Sequence, residues 1–133
     1  MKRVFVTGGA GFIGSHICDR LLFLGHEVVC FDNLLTGYKE NIEHLIGHSG
    51  FSFINEDIRN TEAVKEHLAG CTHVCHQAAL GSVPRSIEDP MRTNDINIVG
   101  SLNVLVEAQK ISVERFVFAS SSSVYGDNKD MPK

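Results

Sequence analysis

Five short apolar runs punctuate the chain, and after each the pattern switches to glycine, to polar residues or to a helical period. The first, Arg3-Val4-Phe5-Val6, leads into glycines and then into Phe12, Ile13, Ile17, Leu21, Leu22 and Leu24 at helical spacing. That predicts a strand, a glycine turn and a helix, which Gly25 ends. Glu27-Val28-Val29-Cys30-Phe31 reads as a second strand closing on Asp32. Asn33 to Gly37 reads as a loop, Tyr38 to Ile46 as a short helix and Gly47 to Gly50 as a turn. Phe51 to Ile54 is the third strand, with Asn55-Glu56-Asp57-Ile58 as its polar end, and Thr61 to Leu68 the next helix. Thr72 to His76 is the fourth strand, running into the small residues Ala78 and Ala79. Pro84 and Pro90 interrupt Leu80 to Pro90. The longest helix is predicted from about Met91 to Ile111, with Ile96, Val99, Leu102, Val106 and Ala108 toward the core. Arg115 to Ala119 is the fifth strand, ending at Ser120 to Ser123.

Strands alternating with helices or loops imply an α/β fold, with right-handed crossovers building a doubly wound parallel sheet covered on both faces. Ligands of such sheets gather at the carboxyl ends of the strands. The polar or glycine-rich strand ends here are Gly8 to Gly14, Asp32, Asp57, Ala78-Ala79 and the serine run, all predicted along one edge. The fifth strand has no following neighbour, so the sheet is expected to be incomplete at its C-terminal edge, which invites pairing or aggregation.

Composition narrows this only slightly. A length of 133 residues, 43% hydrophobic and 21% charged, fits one soluble domain spanning 1–133. A net charge of −4 gives no reason to expect nucleic acid. No run approaches a membrane span, and the Lys2-Arg3 start does not read as a signal peptide. Cys18, Cys30, Cys71 and Cys75 form no C-x-x-C pair and read as buried free thiols of a reducing compartment, the cytoplasm; no metal site is expected. His73 and His76 alternate with apolar residues, so at least one reads as a core histidine.

The candidate chemistry begins at the glycine turn. Gly8, Gly11 and Gly14 form G-x-x-G-x-x-G between a strand and a helix, close to the dinucleotide fingerprint of Rossmann-type folds. The first glycine allows a tight turn, the second a close approach of backbone N–H groups to a pyrophosphate, and the third close helix packing. The anion would sit at the helix N-terminus, where unpaired amides and the dipole favour negative charge. Asp32, ending the second strand roughly 20 residues on, is placed to accept from both adenosine ribose hydroxyls and to repel a 2′-phosphate, which favours NAD over NADP. The serine run follows a strand that this fold sets beside the nicotinamide half. A serine hydroxyl there can hold a sugar oxygen but is too weak to act alone as acid or base.

Taken together, Thr7 to Gly14, Asp32-Asn33-Leu34, Asp57-Ile58, His76-Gln77-Ala78-Ala79 and Ser120 to Gly126 resemble the extended short-chain dehydrogenase/reductases that act on nucleotide sugars. The resemblance is strongest to the UDP-N-acetylglucosamine/UDP-glucose 4-epimerase group. Leu80 to Pro90 is similar to the corresponding loop of its N-acetylhexosamine-accepting branch. It implies that Gly8, Gly11, Phe12 and Ile13 hold the NAD pyrophosphate and that Asp32 and Asn33 hold the ribose. Asp57 and Ile58 would frame the adenine, while Gln77, Ala78, Ala79 and Leu80 would line the cofactor. Ser121, four residues before Tyr125, matches the catalytic serine or threonine of the family. Gly81, Ser82, Ser122 and Ser123 would contact the UDP-sugar. Related dehydratases carry an Asp-Glu pair where this chain has Ser122 and Ser123, so dehydration is disfavoured. The implied reaction is oxidation of the sugar C4 hydroxyl, rotation of the 4-keto intermediate and return of hydride to its other face.

The family's acid/base tyrosine, followed four residues later by a lysine, lies beyond the serine segment, and the sequence reaches Lys133 before it. Tyr125 and Lys129 have that spacing, but Tyr125 belongs to the Val-Tyr-Gly match instead. The chain is therefore expected to be the N-terminal part of an epimerase, holding NAD without turnover, with a sugar-binding domain and half of a homodimer interface outside it. The alternative is a non-catalytic dinucleotide-binding or interaction module.

Overall fold

Alternation along the strands decides the architecture, because successive side chains point to opposite faces of a sheet. In the computed structural model, which describes residues 1–130, the strands are β1 (Arg3–Thr7), β2 (Glu27–Phe31), β3 (Phe51–Ile54), β4 (His73–His76) and β5 (Arg115–Phe118). The final three positions of the expected domain, through Lys133, lie outside the described residues. The strands are all parallel in the order β3-β2-β1-β4-β5. Phe5, Val29, Phe31 and Val74 face one core with α2 (Thr61–Leu68) and the helix ahead of β5. Val4, Val6, Val28 and Cys30 face the other with α1 (Phe12–Phe23), Ile42 and Leu45. The expected Rossmann-type doubly wound sheet is thus observed.

The chain steps from β1 outward through β2 and β3, then returns to place β4 and β5 on the other side of β1. Strand order reverses between β1 and β4, which opens a crevice above their carboxyl ends. β5 is an edge among the described residues, with Val117 and Phe118 about half exposed.

Two helical expectations need correction. Tyr38 to Ile46 forms two 3₁₀ turns, Lys39–Asn41 and Glu43–Leu45, rather than one helix. Its amides bond three residues back, as Ile42 N–H does to Lys39 O, while Tyr38 N–H is taken by Ala10 O outside the segment. The long helix runs from Pro90 to Lys110, after a short α3 (Val83–Glu88), as α4 (Pro90–Asn94), a π-turn (Asp95–Gly100) and α5 (Ser101–Lys110). Ile96 and Ala108 are buried as expected, but Val99, Leu102 and Val106 are exposed. The buried line is Ile96, Gly100, Val104, Ala108. That i, i+4 row is the ordinary buried stripe of a helix face, and Glu107 joins it in the last turns.

Cys18 and Cys30 are fully buried beneath Gly9, where a Cβ would collide with the Cys30 sulfur and crowd that of Cys18. All four cysteines are free, and only Cys75 is partly exposed. Contact with the Cys18 thiol, and then burial, pushes the Cys30 thiol far above its ordinary range. Among the described residues no helix is long and apolar enough to cross a membrane.

Candidate functional site

The glycine turn closes on itself. Gly11 N–H donates to Gly8 O at 3.1 Å, and Gly8 N–H reaches across to Phe31 O at 2.9 Å. Gly8 has φ +67°, and a Cβ there would lie 2.7 Å from Ala78 N, so only glycine lets β1 pass this close to the segment after β4. A Cβ on Gly14 would fall inside the Gly8 carbonyl. The third glycine therefore seats α1 on the turn itself rather than on the strand. No side chain caps α1, and the amides of Phe12, Ile13 and Gly14 have no acceptor among the described residues. Such unpaired amides form an anion-binding end.

Every residue expected to contact the cofactor, apart from Phe12 and Ile13, lines one groove at the strand carboxyl ends. The groove joins Gly8 and Gly11 to Asp32 and Asn33, to Asp57 and Ile58, and to Gln77, Ala78, Ala79 and Leu80. Phe12 and Ile13 stand at the first turn of α1 with exposed side chains. The sequence reading missed Phe31, Leu35, Thr36, Gly37, Glu56 and Ile96 as lining residues. Thr36 and Gly37 carried a signal, a small polar pair right after the Asp32 strand end. Ile96 carried none, since its apolar character read simply as helix core.

The Asp32 carboxylate is buried and already works inside the protein. Oδ2 accepts from Ala10 N–H at 2.9 Å and Oδ1 from Leu34 N–H at 2.8 Å. Each oxygen keeps a second lone pair, so the geometry leaves room for a hydroxyl donor. Asp57 accepts from Asn33 Nδ2 and from Arg59, and Arg59 also pairs with Asp95 at 2.7 Å. Hydrogen bonding from Arg59 holds the Asp57 carboxyl down at about 2. This network ties the ends of β2 and β3 to the π-turn.

The β4 side of the groove is ordered by a buried relay. Thr7 Oγ1 accepts from the N–H groups of Gln77 and Ala78, each at 3.2 Å, and lies 2.7 Å from His76 Nδ1. With its lone pairs occupied, the hydroxyl donates its proton to Nδ1. His76 is then the Nε2–H tautomer, with that proton directed at Ser101 Oγ at 2.8 Å. Burial pushes the imidazole down to about 4, so it is neutral at pH 7. His76 is thus the core histidine, whereas His73 is only partly buried.

The remaining predicted site residues lie outside the groove. Ser122–Tyr125 is an exposed 3₁₀ turn capped by Ser121, whose Oγ sits 3.1 Å from Ser123 Oγ. Gly81 and Ser82 are exposed at the start of α3; Ser82 holds φ 133°, a left-handed backbone, and caps Arg85 N–H. Tyr125 and Lys129 are exposed and share no hydrogen bond. The described residues contain no group of three or more side chains arranged to hold a metal ion.

Comparison with known proteins bears on this groove. The family model described as NAD dependent epimerase/dehydratase matches residues 4–133. UDP-glucuronic acid decarboxylase 1 of Danio rerio is 41% identical over 132 residues, covering 99% of this chain and 30% of that protein. The UDP-N-acetylglucosamine 4-epimerase of Methanobrevibacter ruminantium M1, solved with UDP-N-acetylmuramic acid, has a TM-score of 0.91 at 40% identity, covering 99% of this chain and 42% of that one. UDP-glucose-4-epimerase of Stenotrophomonas maltophila, solved with NAD and formylated UDP-arabinopyranose, gives 0.90 at 36%, covering 100% of this chain and 41% of that one. The chain thus spans less than half the length of each of these proteins.

Proposed function

The chain belongs to the NAD dependent epimerase/dehydratase family, and from that premise we propose that it is the NAD-binding part of a nucleotide-sugar 4-epimerase. The observation that carries the reading is the groove itself, where the buried Asp32 carboxylate is bonded to the glycine turn that leads into the open α1 amides. Its donors and acceptors fit a dinucleotide. The α1 amides of Phe12 and Ile13, with Gly8 and Gly11, would take the pyrophosphate; Asp32 and Asn33 would take the ribose. Asp57 and Ile58 would frame the adenine, and Gln77 to Leu80 would line the remainder.

NAD, when bound, supplies a reversible hydride acceptor, which a C4 hydroxyl needs in order to become a ketone and return with either configuration. Ser121 would hold the sugar oxygen by hydrogen bonding, with Gly81, Ser82, Ser122 and Ser123 around the UDP-hexose or UDP-N-acetylhexosamine. No carboxylate stands at Ser122 or Ser123 to drive elimination of water. Serine needs an acid/base partner of lowered pKa, and Tyr125 with Lys129 does not supply one in this geometry. The 133 residues alone are therefore expected to bind NAD and turn over no sugar, while the longer protein pairs as a homodimer. Four free thiols favour a cytoplasmic setting.

Calorimetric titration with NAD, followed by incubation with NAD and UDP-glucose or UDP-N-acetylglucosamine, tests the reading. Saturable NAD binding without epimerised product is expected. Epimerisation at a rate comparable to a full-length relative would overturn the assignment of the acid/base pair, and absence of NAD binding would overturn the cofactor site. Tight NAD binding by a protein whose reading frame stops after Lys133 would favour the non-catalytic module.

A further inference from the structure

The peptide group preceding the open amides of α1 is gripped from a segment that does not line the groove there. Ala10 O accepts from Tyr38 N–H at 3.1 Å and from Asn41 Nδ2 at 2.8 Å, while Ala10 N–H donates to Asp32. Gly37 is buried against the same peptide, and a Cβ on it would lie 2.9 Å from Ala10 C and 3.1 Å from Gly11 N. The first 3₁₀ turn, Lys39–Asn41, brings the Asn41 carboxamide back onto β1's turn, across a separation of 31 residues.

We propose that Asn41 is a positioning residue for the phosphate cradle: its carboxamide fixes the plane of the Ala10–Gly11 peptide and thereby aims the Phe12 and Ile13 amides. Physical reasons support this role. A carbonyl with two donors resists rotation about its flanking bonds more than one with a single donor. Gly11, the residue just beyond it, is the position where the chain has the greatest freedom to rotate. Asn41 is only half-buried, and its carboxamide donates to Ala10 O. Its contribution is therefore directional. The inference rests on the reading of the groove as an NAD site.

Asn41→Leu keeps the shape, removes the donor and adds no charge. Asn41→Ala serves the same purpose should the leucine variant fail to fold. Both are titrated with NAD and, separately, with adenosine, which lacks phosphate, and the backbone amide signals of Gly11, Phe12 and Ile13 are recorded by NMR without ligand. The expected result is NAD binding weakened about tenfold, because amides no longer held in place must be aligned when the ligand binds, with adenosine binding unchanged and those amide signals shifted. Equal NAD affinity in variant and wild type overturns the proposal. So does an equal loss for adenosine and NAD, which would mark a general effect on the fold. If the wild-type chain binds no NAD, the groove reading fails, and the amide signals alone decide: displaced signals support the positioning role and coincident ones overturn it.

Discussion

The groove and the serine turn occupy the same edge of the sheet, yet they are held in opposite ways. Around the groove, each backbone feature is locked by a partner from another element. Asp32 and Asn41 grip Ala10, Thr7 and His76 order Gln77 and Ala78, and Arg59 bridges Asp57 and Asp95. At the serine turn, among the described residues, Ser121 and Ser123 bond only to each other and to the adjoining amides of Val124 and Gly126, and every residue of Ser121–Tyr125 is exposed. One region is preorganised for a ligand by contacts within the described residues. The other has its residues in place without a supporting shell. Preorganised donors cost less to align on binding, so under the proposed function the contrast would separate where cofactor affinity is set from where sugar chemistry is set.

The most severe way to break the groove is Gly14→Ala. The added carbon meets the Gly8 carbonyl, a backbone atom that cannot step aside. A loss of at least about 3 kcal/mol in urea unfolding is expected, together with NAD binding. Acid comes next. His76 is held at about 4 when folded and titrates at its ordinary value when unfolded. Its depressed value makes the stabilisation complete above about pH 6.5 and removes it as pH falls toward 4. The decline is about 3 kcal/mol, measured as the urea midpoint against pH and flattened in His76→Gln. Below that, between about 4 and 2, protonation of Asp57 releases Arg59 and adds a smaller loss.

Asp32→Ala has an intermediate effect. It strips the acceptor from Ala10 N–H and Leu34 N–H, so about 1–2 kcal/mol of stability is lost. NAD is expected to bind about tenfold more weakly, with discrimination against NADP relaxed in parallel titrations; unchanged affinity for both would show that Asp32 does not face the ribose. Ser121→Ala sharpens the contrast from the other side. Stability and NAD affinity should stay within about 0.5 kcal/mol of the wild type.

Much of the groove was legible because its parts are strand ends. A short apolar run closing on Asp32 or on Ala78-Ala79 states both the strand and its polar exit, and the glycine spacing states the turn. The doubly wound parallel sheet followed from connection rules that need only the sequence of elements. What could not be read were features created by long-range contact. The Pro90–Lys110 helix sets Gly100 against Ile58 and buries Ile96, Gly100, Val104 and Ala108, so Val99, Leu102 and Val106 face outward although their spacing is apolar and helical. Tyr38 to Ile46 closes as two 3₁₀ turns, with Tyr38 N–H and the Asn41 side chain engaged by Ala10. Asp32 caps its own loop by accepting from Leu34 N–H, a contact its strand-end position did not announce, and it also lines the groove.

The thiols under Gly9 have one more consequence. Cys18 and Cys30 are shut away from water, and the thiolate of Cys30 is strongly disfavoured, so neither reacts with an alkylating reagent until the core beneath the glycine turn opens. Their labelling rate is consequently a built-in clock for that opening, sensitive to rare excursions that leave the average structure unchanged. A ligand seated on the turn favours the closed form by mass action. Mass spectrometry of iodoacetamide-treated protein should then show Cys18 and Cys30 labelling slowed by saturating NAD, with the partly exposed Cys75 serving as the internal comparison.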